Sequence, residues 1–233
     1  MTLRAALMDR LTVFASLSDG QLATIAETGE ERHLRPDQPA FFEGDPAREY
    51  FLVLSGHIKL VRGDGSGSVI LALIHEGELF GVGPSHVTRR IATAVSLGET
   101  RLAVWPMDVW RRFLDEMPGL ARGALHVIET RLADTQNRLV ATASLDVPRR
   151  LAHAVLNLID RAGRQEADGV RVDFPLSRRD LAALIGTTLH NVSRILTGWE
   201  RDGLVEGGRR TLLVRDIEAL MRRATGDAPD PTR

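Results

Sequence analysis

The stretch that constrains this chain most is 177–201, which has the pattern of two short helices joined by a glycine. Ser177 followed three residues later by Asp180 is typical of the capping box at a helix start. Gly186 ends that helix, because glycine adopts the tight turn at little cost. Each helix has one apolar face at helical spacing, formed by Leu181, Leu184, Ile185, Val192, Ile195, Leu196 and Trp199. The pattern predicts a helix-turn-helix, whose second helix enters the DNA major groove. An unrelated helical hairpin would show the same apolar pattern.

Three short motifs in this stretch carry a family resemblance. Asp180-Leu-Ala182, Gly186-Thr-Thr188 and Val192-Ser-Arg194 resemble the DNA-binding signature of the CRP/FNR family of bacterial transcription regulators. The resemblance implies a sequence-specific regulator that binds a near-palindromic operator as a homodimer. We therefore expect double-stranded DNA, a second copy of the chain and RNA polymerase as partners.

From residue 33 to residue 106 the apolar runs become short and alternate with glycine and proline. Closely spaced short strands of this kind predict an antiparallel sandwich or barrel. Segments 43–47, 50–56 and 77–81 are similar to the cyclic-nucleotide-binding β-roll of the same family. Their glycines suit tight corners that need positive φ. One or two short helices are predicted before these strands, within 1–31.

The segment 118–145 is predicted to be one long helix. Its apolar and threonine residues alternate at spacings of three and four, which is a heptad seam: Leu125, Ile128, Leu132, Thr135, Leu139 and Thr142. The seam can pack on the chain's own β-roll or pair with a second copy. The family resemblance implies a parallel coiled coil, with a dimer interface formed by Leu125, Ile128, Leu132 and Leu139.

The tripeptide Asp146-Val147-Pro148 ends the long helix, because proline disfavours helical geometry in the residue before it. This tripeptide is the predicted hinge between the sensor domain and the DNA-binding domain. Beyond it the sequence predicts a helix at 149–161, a polar loop leading to a short strand at 162–172, two strands about a Gly207-Gly208 turn, and a last helix at 216–223. The two strands form the wing of a winged helix.

The predicted fold class is therefore α+β. The domains are expected to be an N-terminal antiparallel β-roll sensor (1–116), a long dimerisation helix (117–145), a C-terminal winged helix-turn-helix (146–225) and a disordered tail (226–233).

Arg194 is the candidate for reading a base. A guanidinium pairs bidentately with the O6 and N7 edge of guanine, which contributes about 1–3 kcal/mol of discrimination. In the resembled family the positions of Leu189, His190 and Asn191 are commonly Arg, Glu and Thr, so we expect a different operator here. Phosphate contacts are expected from threonines at the turn and from neighbouring arginines. The complete predicted DNA-binding set is Arg178, Thr187, Thr188, Leu189, His190, Asn191, Ser193, Arg194, Arg209 and Arg210.

The predicted effector pocket departs from the family. Cyclic-nucleotide-binding members place Glu after the Phe-Gly corner, an Arg-Ser pair at the phosphate and a Thr-Ser pair at the base. This chain keeps Arg90 and Thr135 but has Val82, Ile91 and Gln136 at the remaining positions. Losing the carboxylate leaves a ribose hydroxyl unpaired, at a cost of about 1–3 kcal/mol. We expect an effector other than cyclic AMP or cyclic GMP, or none, and a cyclic nucleotide is the second candidate. The predicted pocket comprises Gly81, Val82, Arg90, Ile91, Thr135 and Gln136.

Haem is a third candidate for the effector site, because some relatives sense gases through it. His75 and His86 lie near the altered pocket in sequence, but neither lies in a haem-attachment motif. The chain has no cysteine, which excludes the Cys-ligated iron–sulfur cluster that some family members use. We predict no metal site.

Composition narrows the remaining classes of function and location. No apolar run is long enough to span a bilayer and no apolar secretion signal follows Met1, so we expect a cytoplasmic protein without a membrane partner. Residues 171–223 hold ten arginines and seven acidic residues, and this local net charge of +3 suits phosphate contacts. We find no nucleophile–base motif or phosphate loop and do not expect an enzyme. Two competing interpretations are a regulatory subunit that binds no DNA and a DNA-binding regulator controlled only by its own abundance.

Overall fold

The computed structural model describes residues 11–63, 67–81 and 88–226. Contacts within the chain divide it into two compact units, Met1–Arg62 with Leu71–Asp134, and Gly63–Ile70 with Thr135–Arg233. The division falls inside the predicted long helix. Of the predicted disordered tail (226–233), Gly226 is described, and residues 227–233 lie outside the described residues.

Among the described residues, eight strands form two four-stranded sheets in the N-terminal half. Their bounds are β1 (Glu30–Leu34), β2 (Pro39–Phe41), β3 (Glu49–Ser55), β4 (Ile58–Gly63), β5 (Ser68–Ile74), β6 (Leu79–Phe80), β7 (Thr93–Ser96) and β8 (Thr100–Pro106). The sheet orders are β1-β8-β3-β6 and β2-β7-β4-β5. The paired strands are antiparallel, which confirms the predicted antiparallel β-roll.

An aromatic core lies between these two sheets. The central strand β3 has five buried residues in a row, so it contributes to apolar packing on both of its faces. Phe51 stacks on Phe80 with ring centroids 4.9 Å apart, and Phe41 lies 5.4 Å from Phe51. Burial of these side chains is the main force that holds the sheets together.

The corners of the β-roll need glycine, as predicted. Gly44, Gly56, Gly77 and Gly81 have φ of 86°, 86°, 82° and 84°. The close approach is tightest at Gly56, where a Cβ atom would lie 2.5 Å from the carbonyl oxygen of Glu99. Any side chain there would be strained and would displace the neighbouring backbone.

Two helices cover the outer face of the first sheet. Ser18 begins α1 (Asp19–Thr28) with a capping box to Gln21, and α1 confirms that a short helix precedes the strands. Trp105 of β8 donates from Nε1 to the carbonyl of Ile25 at 2.8 Å, which fixes α1 to the sheet. Helix α2 (Met107–Glu116) is not among the predicted elements, and it buries Trp110 and Phe113 in the same cluster.

The predicted long helix is α3 (Pro118–Ser144), which ends one residue earlier than expected. Leu120 is buried, and Ala124 and Val127 pack against the cluster that α1 and α2 share. Arg131, one turn further along the same face, donates to the carbonyl of Leu79 at 2.8 Å. One face of α3 is therefore occupied by its own chain.

The second unit is a small helical domain with a four-stranded sheet. Its elements are α4 (Val147–Ala162), β9 (Gly163–Glu166), β10 (Gly169–Val172), α5 (Arg178–Ile185), α6 (Leu189–Arg201), β11 (Val205–Gly207), β12 (Leu212–Val214) and α7 (Ile217–Thr225). The sheet order is β11-β12-β10-β9. Together with the β-roll and α3, this arrangement confirms the predicted α+β fold class.

The short strand predicted at the end of 162–172 is present as β10, but the polar loop predicted before it is wrong. The segment is a hairpin, β9 and β10, paired from Gly163 to Val172. Strand β9 lies at the sheet edge and is almost fully exposed, so it lacks the apolar alternation that identifies strands. The ion pair between Glu166 and Arg171, at 2.7 Å, joins the two strands across the hairpin.

Candidate nucleic-acid interface

The first helix of the helix-turn-helix is capped at both ends as predicted. The Ser177 hydroxyl accepts from the backbone N–H of Asp180 at 3.1 Å, and the Asp180 carboxylate accepts from the Ser177 N–H at 3.0 Å. Gly186 ends α5 with φ 66°, a left-handed conformation that costs other residues about 1–2 kcal/mol. Its N–H donates to the carbonyl of Ala182.

The second helix begins at a threonine cap. Thr188 is the N-cap of α6, and its hydroxyl accepts from the backbone N–H of Asn191 at 3.2 Å. Thr187 instead accepts from the side-chain amide of Asn191 at 3.0 Å. Asn191 is thus held by the turn, so the start of α6 is rigid before any ligand arrives.

One face of helix α6 packs against the domain core, and the opposite face, called the bare face below, is exposed to solvent. The inward face is fully buried, as the apolar pattern predicts: Val192, Ile195, Leu196 and Trp199. On the opposite side His190 and Arg194 are exposed and Ser193 is half-buried, while Leu189 is exposed at the helix start. Neither the His190 nor the Arg194 side chain pairs with another described residue. The exposed face therefore offers donors to an outside partner.

Arg178 has internal partners. Its Nη2 donates to Glu200 at 2.6 Å, and its Nη1 donates to the hydroxyl of Thr197 at 3.3 Å. A Cβ atom on Gly207 would overlap the Glu200 carboxylate, so the first wing strand passes directly over this pair. The ion pair joins α5, α6 and β11. The sequence did not reveal Glu200, because the two partners lie on different elements.

The wing is present with a shifted turn. Strands β11 and β12 pair antiparallel from Val205 to Val214. The predicted turn at Gly207-Gly208 is wrong by one residue, since Gly207 is the last residue of β11. The turn is closed by Gly208, whose N–H donates to the carbonyl of Thr211 at 2.9 Å. Arg209 is exposed on the turn, and Arg210 is half-buried.

The predicted hinge residues start a new helix. Asp146 is the N-cap of α4 and accepts from the backbone N–H of Arg149 at 2.9 Å. Val147 and Pro148 are its first two helical residues, where the missing N–H of proline costs nothing. The predicted helix break at this tripeptide is confirmed, and its role as a hinge stays a prediction.

In the β-roll, Arg90 is buried, and its guanidinium donates hydrogen bonds within the chain. It is 7% exposed, and its two terminal nitrogens donate to the carbonyls of Gly81 at 2.7 Å and Glu49 at 2.6 Å. Its guanidinium lies 4.2 Å from the ring centroid of Phe41, a cation–π contact. Burial lowers the pKa of the Arg90 guanidinium, partly offset by the nearby Glu49 charge.

Of the predicted pocket residues other than Gly81 and Arg90, three are exposed and one is not described. Ile91 is 59% exposed, and Val82 lies outside the described residues. Thr135 and Gln136 are exposed on the part of α3 that belongs to the second unit. The structure therefore brings Gly81 and Arg90 together, and the remainder of the pocket stays a prediction.

Of the two candidate haem ligands, His75 is described and His86 is not, so haem binding stays a prediction. His75 lies edge-on to His57 with ring centroids 5.1 Å apart, while His86 lies outside the described residues. Within 11–63, 67–81 and 88–226, no group of three His, Asp or Glu side chains could hold a metal ion. Over those same ranges, each helix is too short or too polar to cross a bilayer.

The predicted dimer seam on α3 is exposed. The exposed fractions are 53% for Leu125, 43% for Ile128, 56% for Leu132 and 70% for Leu139. These residues lie beside the face that the chain's own core occupies, so intramolecular packing does not account for them. Their role as the dimer interface stays a prediction.

Comparison with known proteins agrees with this geometry. Residues 31–117 match the cyclic nucleotide-binding domain, and residues 149–223 match the Crp-like helix-turn-helix domain. The cyclic AMP receptor protein of Thermus thermophilus is 31% identical over 199 residues, covering 84% of this chain and 89% of that protein. The global nitrogen regulator of Synechococcus elongatus is 30% identical over 214 residues, covering 90% and 94%.

The fold is also shared with a solved regulator. The c-di-GMP-responsive global regulator CLP of Xanthomonas campestris superposes with a TM-score of 0.75 at 20% identity, covering 85% of this chain and all of that one. The matches to the Thermus thermophilus and Synechococcus elongatus relatives extend over both units of the chain. The chain therefore belongs to the CRP/FNR family of transcription regulators and carries that family's helix-turn-helix DNA-binding domain.

Proposed function

We propose that the chain regulates transcription as a homodimer that reads a near-palindromic operator through α6. The observation that carries the proposal is the bare face of α6, where His190 and Arg194 are exposed on a helix fixed by caps at Ser177 and Thr188. Such a preorganised face loses little conformational entropy when it binds the groove. RNA polymerase stays a predicted partner.

The exposed seam on α3 supports the homodimer. A symmetric pairing of two α3 helices would bury Leu125, Ile128, Leu132 and Leu139 in both copies. It would also present two copies of α6. Two recognition helices on one DNA face bind half-sites about 34 Å apart, one turn of the duplex.

Within each half-site, Arg194 is the proposed base reader and Arg209 a proposed phosphate contact. The Arg194 side chain is unpaired in the described part of the folded chain. Two of its guanidinium N–H groups can therefore donate to guanine without breaking an ion pair. Leu189 cannot donate to a base and can contact a thymine methyl, which gives this chain its own operator preference. The internal contacts of Arg178 favour a role in positioning α6 over phosphate binding.

In vitro selection of duplexes from a random library tests this function. The full-length chain without added ligand is expected to enrich a near-palindrome whose half-site centres lie about 10 base pairs apart. Enrichment of a single asymmetric half-site would contradict binding as a dimer. A library that shows no enrichment over its starting pool would contradict sequence-specific binding without a ligand.

For the effector, we propose a ligand other than cyclic AMP or cyclic GMP, or none. The buried fork of Arg90 is already taken by two carbonyls, so a nucleotide phosphate must displace them. The Thermus thermophilus relative is named a cyclic AMP receptor protein, which keeps a cyclic nucleotide as the second candidate. The carboxylate that would hold a ribose hydroxyl is absent at Val82.

Calorimetric titration of the purified chain with cyclic AMP and with cyclic GMP tests this proposal. We expect no saturable heat at millimolar nucleotide, because the missing carboxylate and the occupied arginine both weaken binding. The Arg90→Ala variant is the control, since it removes the proposed phosphate partner. Micromolar binding by the wild type that Arg90→Ala abolishes would establish a nucleotide-responsive regulator instead.

A further inference from the structure

A cationic cleft lies within the second unit, beside the bare face of α6. It has a volume of about 570 Å³ and is bounded by the start of α4, the exposed face of α6 and the end of α7. Four arginines line it: Arg149, Arg194, Arg201 and Arg223. Only Arg194 among them belongs to the predicted DNA-binding set.

Two of the four arginines are already occupied. Arg149 donates to the carbonyls of Ala224 and Thr225, both at 3.1 Å, at the negative end of α7. Arg223 forms an ion pair with Asp202 at 2.8 Å. The side chains of Arg194 and Arg201, in contrast, pair with no other residue in the described part of the chain. The one acidic residue that lines the cleft among the described residues is Asp146, whose carboxylate accepts from the backbone N–H of Arg149. Arginines therefore outnumber acidic residues in the cleft by four to one.

The spacing of these two arginines matches the DNA major groove. They are seven residues apart on α6, which places them on the same helix face and about 10 Å apart along the axis. The groove is about 12 Å wide. When Arg194 contacts a base edge near the groove centre, Arg201 lies toward the phosphate backbone at the groove's edge.

Gly198 supplies an independent indication that something approaches this face closely. It lies inside α6, where glycine is less favourable than alanine, and it lines the cleft. Apart from the local backbone of α6, a Cβ atom there would meet no atom of the described residues within 4 Å, so packing does not require glycine. Glycine at such a position permits close approach of an external backbone.

We propose that Arg201 binds a phosphate of the DNA backbone beside the half-site while Arg194 reads a base within it. The bare helix backbone at Gly198 lets that strand approach α6. The inference rests on the proposed reading of DNA by α6 and extends that interface along the helix. Phosphate contacts position a protein on DNA and carry no sequence information, so Arg201 contributes affinity on any duplex.

The Arg201→Gln variant of the full-length chain tests this assignment. Its affinity is measured by fluorescence anisotropy over a salt series, on the selected operator and on a scrambled duplex. We expect both affinities to fall by a similar factor. The slope of log affinity against log salt should decrease by about 0.9 for each phosphate lost, which is about 1.8 for a dimer. Arg201→Lys should restore most of the slope.

Arg222→Gln is the matched control. Arg222 is exposed on α7, does not line the cleft, and its side chain pairs with no other described residue. Its removal changes the net charge equally and should leave the salt slope unchanged. A wild-type slope in Arg201→Gln, or a loss confined to the operator, would overturn the phosphate assignment. A wild-type chain that does not discriminate the operator would instead overturn the proposed function.

Gly198→Ala separates close approach from a structural role. Alanine is the better helix former, so the melting temperature of the variant should rise. The affinities for both duplexes should nevertheless fall, because the added methyl group meets the incoming strand. A higher melting temperature with wild-type affinity would show that nothing approaches the helix at Gly198 and would overturn this part of the inference.

Discussion

A Leu132→Glu chain is expected to be a monomer at concentrations where the wild type is a dimer. Leu132 is central in the exposed seam of α3, and the chain's own core does not use it. Burying a leucine contributes about 1.5–3 kcal/mol, and a symmetric dimer loses this contribution twice. The substitution also places two carboxylates opposite each other. The dimer dissociation constant should rise by about 10²-fold to 10⁴-fold.

Sedimentation equilibrium measures this change directly. The control is Ala133→Glu, which adds the same charge at an exposed position of α3 outside the seam. That variant should remain a dimer, and both variants should keep the melting temperature of an intact fold. A dimeric Leu132→Glu chain would show that the seam is not the interface.

The same substitution should impair operator binding. A dimer binds its second half-site as an intramolecular event, which raises affinity by about 10²-fold to 10⁴-fold over one half-site. The monomer loses this gain although its α6 is unchanged. We therefore expect Leu132→Glu to bind a full operator no better than a single half-site.

The helix-turn-helix was predictable because its signals are local. Ser177 and Asp180 are three residues apart, and Gly186 and Thr188 act on the turn in which they lie. The cap residues accept from N–H groups that a helix start leaves free, and glycine adopts the left-handed conformation that ends a helix. The structure accordingly places the Ser177 cap and the left-handed Gly186 where the sequence predicts them.

The ion pair of Arg178 and Glu200 could not be predicted in the same way. The two residues are on different helices, 22 positions apart, and the nearby strand of Gly207 is on a third element. Only the folded arrangement shows that Arg178 has internal partners. From the sequence alone, an arginine that pairs within the chain cannot be distinguished from an arginine that binds phosphate.

Two secondary-structure elements escaped prediction for different reasons. Strand β9 is short and mostly exposed, and it carries the ion-paired Glu166 in place of an apolar alternation. Helix α2 follows directly on β8, and the apolar run ending at Trp105 obscures the change of period. Its buried residues, Trp110 and Phe113, are spaced by three and would have indicated a helix.

Replacing Arg194 by alanine is expected to abolish base discrimination without unfolding the chain. The side chain is exposed and unpaired among the described residues, and alanine favours the helix. A bidentate guanine contact contributes about 1–3 kcal/mol, so two half-sites lose about 2–6 kcal/mol of discrimination. The affinity ratio between operator and scrambled duplex should fall by about 30-fold to 10⁴-fold. Arg222→Ala, outside the cleft, should keep the ratio.

Base reading by α6 is tested most directly by this ratio, measured by competition between operator and scrambled duplex for the wild type and Arg194→Ala. We predict strong discrimination by the wild type and near-equal binding of both duplexes by the variant. Substituting the guanine opposite Arg194 should lower the affinity of the wild type and leave the affinity of the variant unchanged. Wild-type discrimination in Arg194→Ala would contradict base reading by Arg194 and would place it elsewhere on the molecule.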